Sequence, residues 1–277
     1  MSGKRRIIFT GFIIVAILAI AFASYKITVG ILNKMQYSKL REEVISSETV
    51  SAITSEASSE VTASSDLSEE TDLTSLVEST TTEPFVSPID FVELQSINSD
   101  IYSWLEVVDT DISYPVLQHP TELEYYLRRG LDCEYSNDGS LFTAPDNPRD
   151  MSGFNTIIYG HNLRSLAMFG TLKYYRDYDY LQTHRDIIIY TPYATFYYKV
   201  FATVTYSDVL IPSAFDFDTE EGRQGFLDSL DDIGDMNSFI LDDVEVDTDD
   251  CLLTLSTCNS DTSQRYLVVA VLTDVES

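Results

Sequence analysis

Leu252-Leu253-Thr254-Leu255-Ser256-Thr257-Cys258, then Asn259 to Gln264, then Arg265-Tyr266-Leu267-Val268-Val269-Ala270, is the stretch on which the fold turns. Two apolar runs separated by six polar residues read as a β-hairpin. Residues flanking such a turn face each other across the ladder, which brings Cys258 near Arg265 at one rim. Arg265 is one of only two basic residues after Lys199, in a region crowded with Asp and Glu. A cation beside a cysteine favours the thiolate or stabilises an oxyanion formed in acyl transfer.

Working outward, short runs rich in Val, Ile, Tyr and Phe recur at Ile112–Leu117, Ser140–Thr143, Thr156–Tyr159, Asp186–Thr191 and Thr195–Tyr206. With Cys251–Thr257 and Tyr266–Thr273 they predict about eight strands, separated by Gly, Pro, Asn and Asp. They do not alternate with helices as βαβ units would, so a mostly antiparallel barrel or sandwich with external helices is expected. Phe91, Leu94, Ile97 and Ile101, with Trp104 and Leu105 beyond, recur at helical spacing. The Ser99–Asp100 pair offers a cap that would divide them into two short helices. Further helices are expected over Leu166–Tyr175 and Glu220–Ile233, the second lying before the cysteine strand. Its Phe226, Leu227, Leu230 and Ile233 share one face.

His161 ends the strand signal Thr156-Ile157-Ile158-Tyr159, and Gly160 lets the chain turn there. A histidine at a strand end supplies the acid/base partner that thiol acylation requires. The bland readings stand beside this one: a buried cysteine is usually a small hydrophobe and a lone histidine a satisfied structural residue. His119, in a Gln-His-Pro-Thr turn, and His184, before a strand, are read as structural. Cys251, seven residues before Cys258, points to the opposite face of an unbroken strand and is expected in the core. Three cysteines exclude a disulfide scaffold, and no CxxC or HExxH suggests a zinc site. The acidic run Asp242, Asp243, Glu245, Asp247, Asp249 and Asp250 reads as a solvated loop, with calcium as the rival reading. No cofactor and no metal is implied.

The ends of the chain differ in kind. The 277 residues carry a net charge of −28, which argues against nucleic-acid binding. Residues 1–45 hold seven basic and two acidic side chains, so the surplus of acid lies entirely beyond them. Lys4, Arg5 and Arg6 precede an uncharged apolar run over 7–25. Nineteen helical residues rise roughly 28 Å, about one bilayer core. That pattern predicts an uncleaved signal-anchor with residues 1–6 in the cytoplasm and the remainder outside the cell. A juxtamembrane segment over 26–45 follows. Residues 46–83 are rich in Ser, Thr, Glu and Asp, a composition that predicts a disordered spacer between membrane and domain. The folded domain is then 84–277.

The ordered motifs resemble those of the sortases, cysteine transpeptidases of Gram-positive cell surfaces. Thr254-Leu255-Ser256-Thr257-Cys258 is similar to their TLxTC signature, Tyr159-Gly160-His161-Asn162 to their catalytic-histidine segment, and Arg265 to the third catalytic residue. Ser113 to Gln118, Tyr125-Tyr126-Leu127, Met168 to Leu172 with Tyr174-Tyr175, and His184 to Thr191 resemble class B in particular, as do the N-terminal helices and the helix before the cysteine strand. The resemblance spans roughly Ile89 to Leu272. It implies a sortase-like β-barrel in which Cys258 attacks the threonine carbonyl of a C-terminal sorting motif. His161 would exchange protons with the leaving and incoming amines, Arg265 would hold the substrate and oxyanion, and Ser256 would lie near the sorting peptide. The implied partners are a surface protein or pilin bearing the motif and an amine acceptor, either a peptidoglycan cross-bridge or a pilin lysine. Two rivals remain: a non-catalytic scaffold on the same barrel, and a peptidoglycan L,D-transpeptidase.

Overall fold

The computed structural model describes residues 35–44, 85–231, 236–258 and 263–277, with Ala16 and Ile20 singly. Apart from those two, the predicted membrane span over 7–25 lies outside the described residues, as does the acidic stretch over 46–83. Among the described residues no helix is long and apolar enough to cross a membrane.

Helix α1 covers residues 35–44. Helix α2 (Phe91–Ile97) begins where the Asp90 carboxylate accepts the Glu93 amide at 2.9 Å, and it ends at Asn98, whose backbone is extended. Strands β1 (Ile101–Val107) and β2 (Ser113–Leu117) lead to a 3₁₀ turn at Tyr125–Arg128. Next come β3 (Leu141–Phe142), β4 (Asn155–Gly160) and a second 3₁₀ turn at Leu172–Arg176. The rest is α3 (Tyr178–Thr183), β5 (Asp186–Tyr190), β6 (Thr195–Ser207), α4 (Ile211–Ala214), α5 (Glu220–Asp231), β7 (Phe239–Ile240), β8 (Leu252–Cys258) and β9 (Gln264–Glu276).

Eight strands run in the order β5-β1-β2-β3-β4-β8-β9-β6, and β5 pairs again with β6, closing the barrel; β7 is added outside, on β6. All pairings are antiparallel except β2–β3 and β4–β8. The barrel interior holds Leu105, Val116, Ile158, Leu253, Leu255 and Val268 among others. Alternation along the strands sends Ile157, Leu252, Leu267 and Val269 outward, where Phe226 and Leu230 of α5 cover them. A third cluster packs α1 and α2 on the barrel through Leu40, Val44, Phe91, Leu94 and Trp104.

Three expectations are corrected. Ile101 to Leu105 is strand, not a second helix. Every residue of β1 except Glu106 is buried, and it pairs with both β2 and β5, so no polar face existed to reveal its period. The helix expected from Leu166 is a 3₁₀ turn beginning at Leu172; Leu166 and Met168 have positive φ, which ends any helical run. Cys251 is half-buried rather than core, because β8 starts one residue after it. Partial burial still pushes its thiol pKa upward.

Candidate active site

Three adjacent strands bring the candidate residues to one rim. Strand β4 runs parallel to β8 with Gly160 opposite Thr257, so His161 and Cys258 occupy the next level of the same ladder. Strand β9 returns antiparallel with Arg265 opposite Cys258. Positions 258 and 265 are therefore Cα partners, as the hairpin reading predicted. Tyr159, Ser256 and Leu267 sit two residues from these positions on their own strands. Tyr159 and Leu267 lie on the outer face of the sheet, away from the barrel interior.

That face opens into a cleft of about 230 Å³. Its floor is Tyr159, Gly160, Ser256, Arg265 and Leu267, and Ser256 is buried there. One wall is Leu123, Glu124 and Leu127 around the first 3₁₀ turn. The other is Tyr206 to Ile211, leading from β6 into α4. The Asp208 amide donates to the Ser263 carbonyl at 3.1 Å, tying this wall to the hairpin. Arg265 is half-buried, and its guanidinium donates to the Gln264 carbonyl at 3.2 Å. It also makes the Tyr159 hydroxyl easier to ionise, although burial dominates and holds that phenol's pKa well above normal. The Tyr159 hydroxyl is buried without a hydrogen-bond partner among the described residues.

His161 is half-buried just past β4. Gly160 precedes it because a Cβ there would meet Leu141 Cδ2 at 2.5 Å and Phe169 Cδ2 at 2.7 Å. The His161 Nε2 lies 2.7 Å from the Leu127 carbonyl oxygen. A carbonyl only accepts, so Nε2 carries the proton and Nδ1 is the basic nitrogen of the neutral ring. Burial pushes the imidazole pKa below its ordinary 6.5; the Leu127 bond opposes this, Arg128 adds to it, and Asp138 opposes it. The ring is thus neutral at pH 7, oriented by a fixed backbone acceptor. Leu127 itself is held by the turn around Tyr126, whose hydroxyl donates to Asp100 at 2.7 Å. Gly139, at φ +63°, packs so close that a Cβ would lie 2.3 Å from the Leu127 oxygen.

The other candidates lie elsewhere. His119 stacks on Tyr125 at 4.1 Å, and its Nδ1 accepts the Glu122 amide at 2.9 Å. His184 stacks on Tyr180 at 3.9 Å. Cys133 has positive φ, and its sulfur accepts from Asn98 at 3.4 Å. In the acidic run, Asp243 takes two hydrogen bonds from buried Arg185, at 2.6 and 2.9 Å, and Asp250 accepts the Asp247 amide. Among the described residues no group of His, Cys, Asp and Glu converges as a metal ion requires. Sequence reasoning missed the Leu127 carbonyl, since backbone oxygens leave no trace in composition. It also missed the Val209-Leu210-Ile211 wall, although exposed apolar residues just past a strand are a usable signal.

Comparison with known proteins agrees with this geometry. A family model described as "Sortase domain" matches residues 105–273. Sortase B of Staphylococcus aureus is 33% identical over 190 residues, covering 67% of this chain and 75% of that protein. Sortase B of Listeria monocytogenes is 33% identical over 180 residues, 63% of this chain and 68% of that one. The structure of a Staphylococcus aureus sortase B–substrate complex superposes with a TM-score of 0.58 at 31% identity, covering 66% of this chain and 84% of that one.

Proposed function

Since the chain belongs to the sortase family, as a class B-like cysteine transpeptidase, we propose that it is a membrane-anchored enzyme using Cys258, His161 and Arg265 to move surface proteins onto an amine. The observation that carries this reading is the ladder register: Cys258 of β8 is paired with Arg265 of β9, and His161 follows Gly160, the last residue of β4, which is paired with Thr257, beside a cleft.

Neutral His161 takes the Cys258 thiol proton on Nδ1, and the thiolate so formed attacks the carbonyl of a threonine in a C-terminal sorting motif lying in the cleft. Arg265 offsets the charge on the tetrahedral oxygen. As the C–N bond breaks, protonated His161 gives its proton to the leaving amine, and a thioester remains on Cys258. The acceptor amine then attacks that thioester and loses a proton to Nδ1 of His161. A new amide forms, the sulfur leaves as thiolate, and the proton on Nδ1 returns to it, restoring the thiol and the neutral ring. The acceptor is a peptidoglycan cross-bridge or a pilin lysine. Residues 7–25 anchor the chain with its first six residues in the cytoplasm and the catalytic domain outside the cell. The scaffold and L,D-transpeptidase alternatives lose their footing with the family match.

The test is the full chain in detergent micelles with a panel of sorting peptides and amine acceptors, followed by mass spectrometry. A thioester 258-peptide adduct and its transfer product are expected from the parent protein and from Cys133→Ala and Cys251→Ala. Transfer by Cys258→Ala at the parent rate would overturn the assignment. The peptide and acceptor that turn over fastest identify the substrates.

A further inference from the structure

Residues 84–277 hold 10 basic and 34 acidic side chains, and three of the ten, Arg164, Lys173 and Arg176, fall between His161 and α3. That stretch, residues 162–176, contains no Asp or Glu. The chain leaves His161 and doubles back, so that the Phe169 amide donates to the His161 carbonyl at 3.1 Å, before the 3₁₀ turn Leu172–Arg176 begins. Beside that turn is an open depression of about 550 Å³ lined by Lys173, Tyr174, Arg176, Asp177 and Tyr180. Its aromatic part is firmly held. The Tyr174 and Tyr180 rings pack 5.6 Å apart, and Tyr180 is backed by His184 at 3.9 Å and edge-on by Tyr175 at 5.2 Å. Lys173 Nζ lies 5.5 Å from the Tyr174 ring centroid and forms no ion pair among the described residues. Asp177, the one acidic residue of the lining, is engaged as the cap of α3, where its Oδ1 accepts the Asp179 and Tyr180 amides at 2.9 and 3.3 Å.

The depression and the cleft flank the catalytic rim from different sides. Tyr159 and Leu267 place the cleft on the outer face of the sheet. Arg176 instead lies over the ring of Tyr266, 4.7 Å from its centroid. Tyr266 belongs to the barrel filling, follows Arg265 in β9 and is paired with Thr257, the neighbour of Cys258. A sorting peptide seated in the cleft covers the outer approach to Cys258. The side left open to a second substrate is the barrel mouth, across the turn that carries the cations.

We infer that the acceptor docks in this depression, and that Lys173 and Arg176 select an amine acceptor bearing carboxylates: the acidic stem peptide of a peptidoglycan precursor, not a pilin lysine. The inference rests on the transpeptidase reading above and names the acceptor class it left open. A guanidinium fork matches a carboxylate in two parallel hydrogen bonds, and an ammonium adds a point charge beside it. Tyr174, 40% exposed, offers a ring face to the apolar part of a short peptide. An acidic domain repels an acidic acceptor, and a strip of cations beginning three residues after His161 gives it a local path to the thioester.

The experiment uses the full chain in nonionic detergent with three acceptors. They are a stem peptide carrying its amine and free carboxylates, the same peptide with the carboxylates amidated, and a lysine-bearing pilin domain. Thioester formation should be equal in the parent and in Lys173→Glu. The KM for the free-carboxylate peptide should rise about five- to thirtyfold in Lys173→Glu and about two- to fivefold in Lys173→Ala, as loss or reversal of a partly exposed charge contact does. Arg176→Lys, which keeps the charge but loses the fork, should raise it about threefold with the melting temperature unchanged. Amidation should cost the parent a similar factor, after which Lys173→Glu makes no further difference. An unchanged KM in Lys173→Glu, or an equal rise with the amidated peptide, would overturn the proposal. Faster transfer to the pilin domain than to the stem peptide would overturn the choice of acceptor. Binding of the peptides to Cys258→Ala, with and without Lys173→Glu, is read by NMR line broadening and separates docking from reaction. Binding that needs Lys173 and the carboxylates, in a chain whose parent forms no thioester, keeps the site and refutes the transpeptidase reading; a thioester without such binding refutes the site alone.

Discussion

The two ends of the β4–β8–β9 ladder are made by the same three strands, yet one end is core and the other is the candidate active site. At the level of Leu252 to Leu255 both faces are covered, inside by the barrel filling and outside by Phe226 and Leu230 of α5. At the level of Ser256 to Cys258 the helix has stopped. A loop from Ser207 to Ile211 stands off the sheet instead, leaving a cleft of about 230 Å³. The strands do not change character between the two levels; their covering does. A site arises where a buried sheet face loses its lid, and the side chains there are free to be polar.

Substitutions at the two ends should then fail in different ways. The largest effect expected is at the rim: Cys258→Ala should lower transfer by at least about a thousandfold, with the melting temperature nearly unchanged. Activity assay and thermal denaturation on the same sample check this. At the closed end, Leu255→Ala removes a fully buried side chain and should cost about 2–5 kcal/mol in chemical denaturation, while folded protein keeps its rate constant per molecule. Equal loss of activity and stability in both variants would refute the contrast.

A smaller and more selective effect is expected from Gly139→Ala. Its Cβ would displace the Leu127 carbonyl, and with it the acceptor that orients His161. Turnover should fall roughly tenfold to a hundredfold with KM little changed, because the ring rather than the cleft is disturbed. A variant whose KM alone rises would assign Leu127 to substrate binding instead.

The smallest expected effect is on pH dependence. Burial lowers the His161 pKa below 6.5, so the neutral base persists as the medium is acidified. Transfer should be fully present above 6.5 and fall at a midpoint lower than that. By the same sign, the unfolded chain binds this proton more readily, so stability also declines as pH drops below 6.5. Asp138 raises the His161 pKa, so Asp138→Asn should move the acid limb of kcat/KM to still lower pH, less so in high salt. A shift to higher pH would show that Asp138 does not act on His161 through its charge.

Much of this could be read from the residues. Strands of four or more apolar residues bounded by turn formers announced themselves, and β8–β9 did so most clearly, since a six-residue connection leaves few pairings. Cys258, His161 and Arg265 stood out because each ends or begins a strand beside a polar turn. Where the period carried no information, reading failed. The run Ile101 to Leu105 is buried on every side, and apolar residues then recur at helical and extended spacing alike. Cys251 was placed by assuming a strand one residue longer than it is.

Taken alone, the chain specified a closed hairpin, a β-rich domain, an apolar N-terminal run and three chemically suited side chains, because these follow from local pattern and charge. It could not specify that His161 is a neutral Nε2–H tautomer, that Val209 to Ile211 wall the cleft, or that α1 grips the barrel ahead of the acidic segment. Each of those depends on what lies opposite a residue after the barrel closes. Proton placement, cleft walls and docking are properties of pairs of surfaces far apart in the chain, and only packing brings them together.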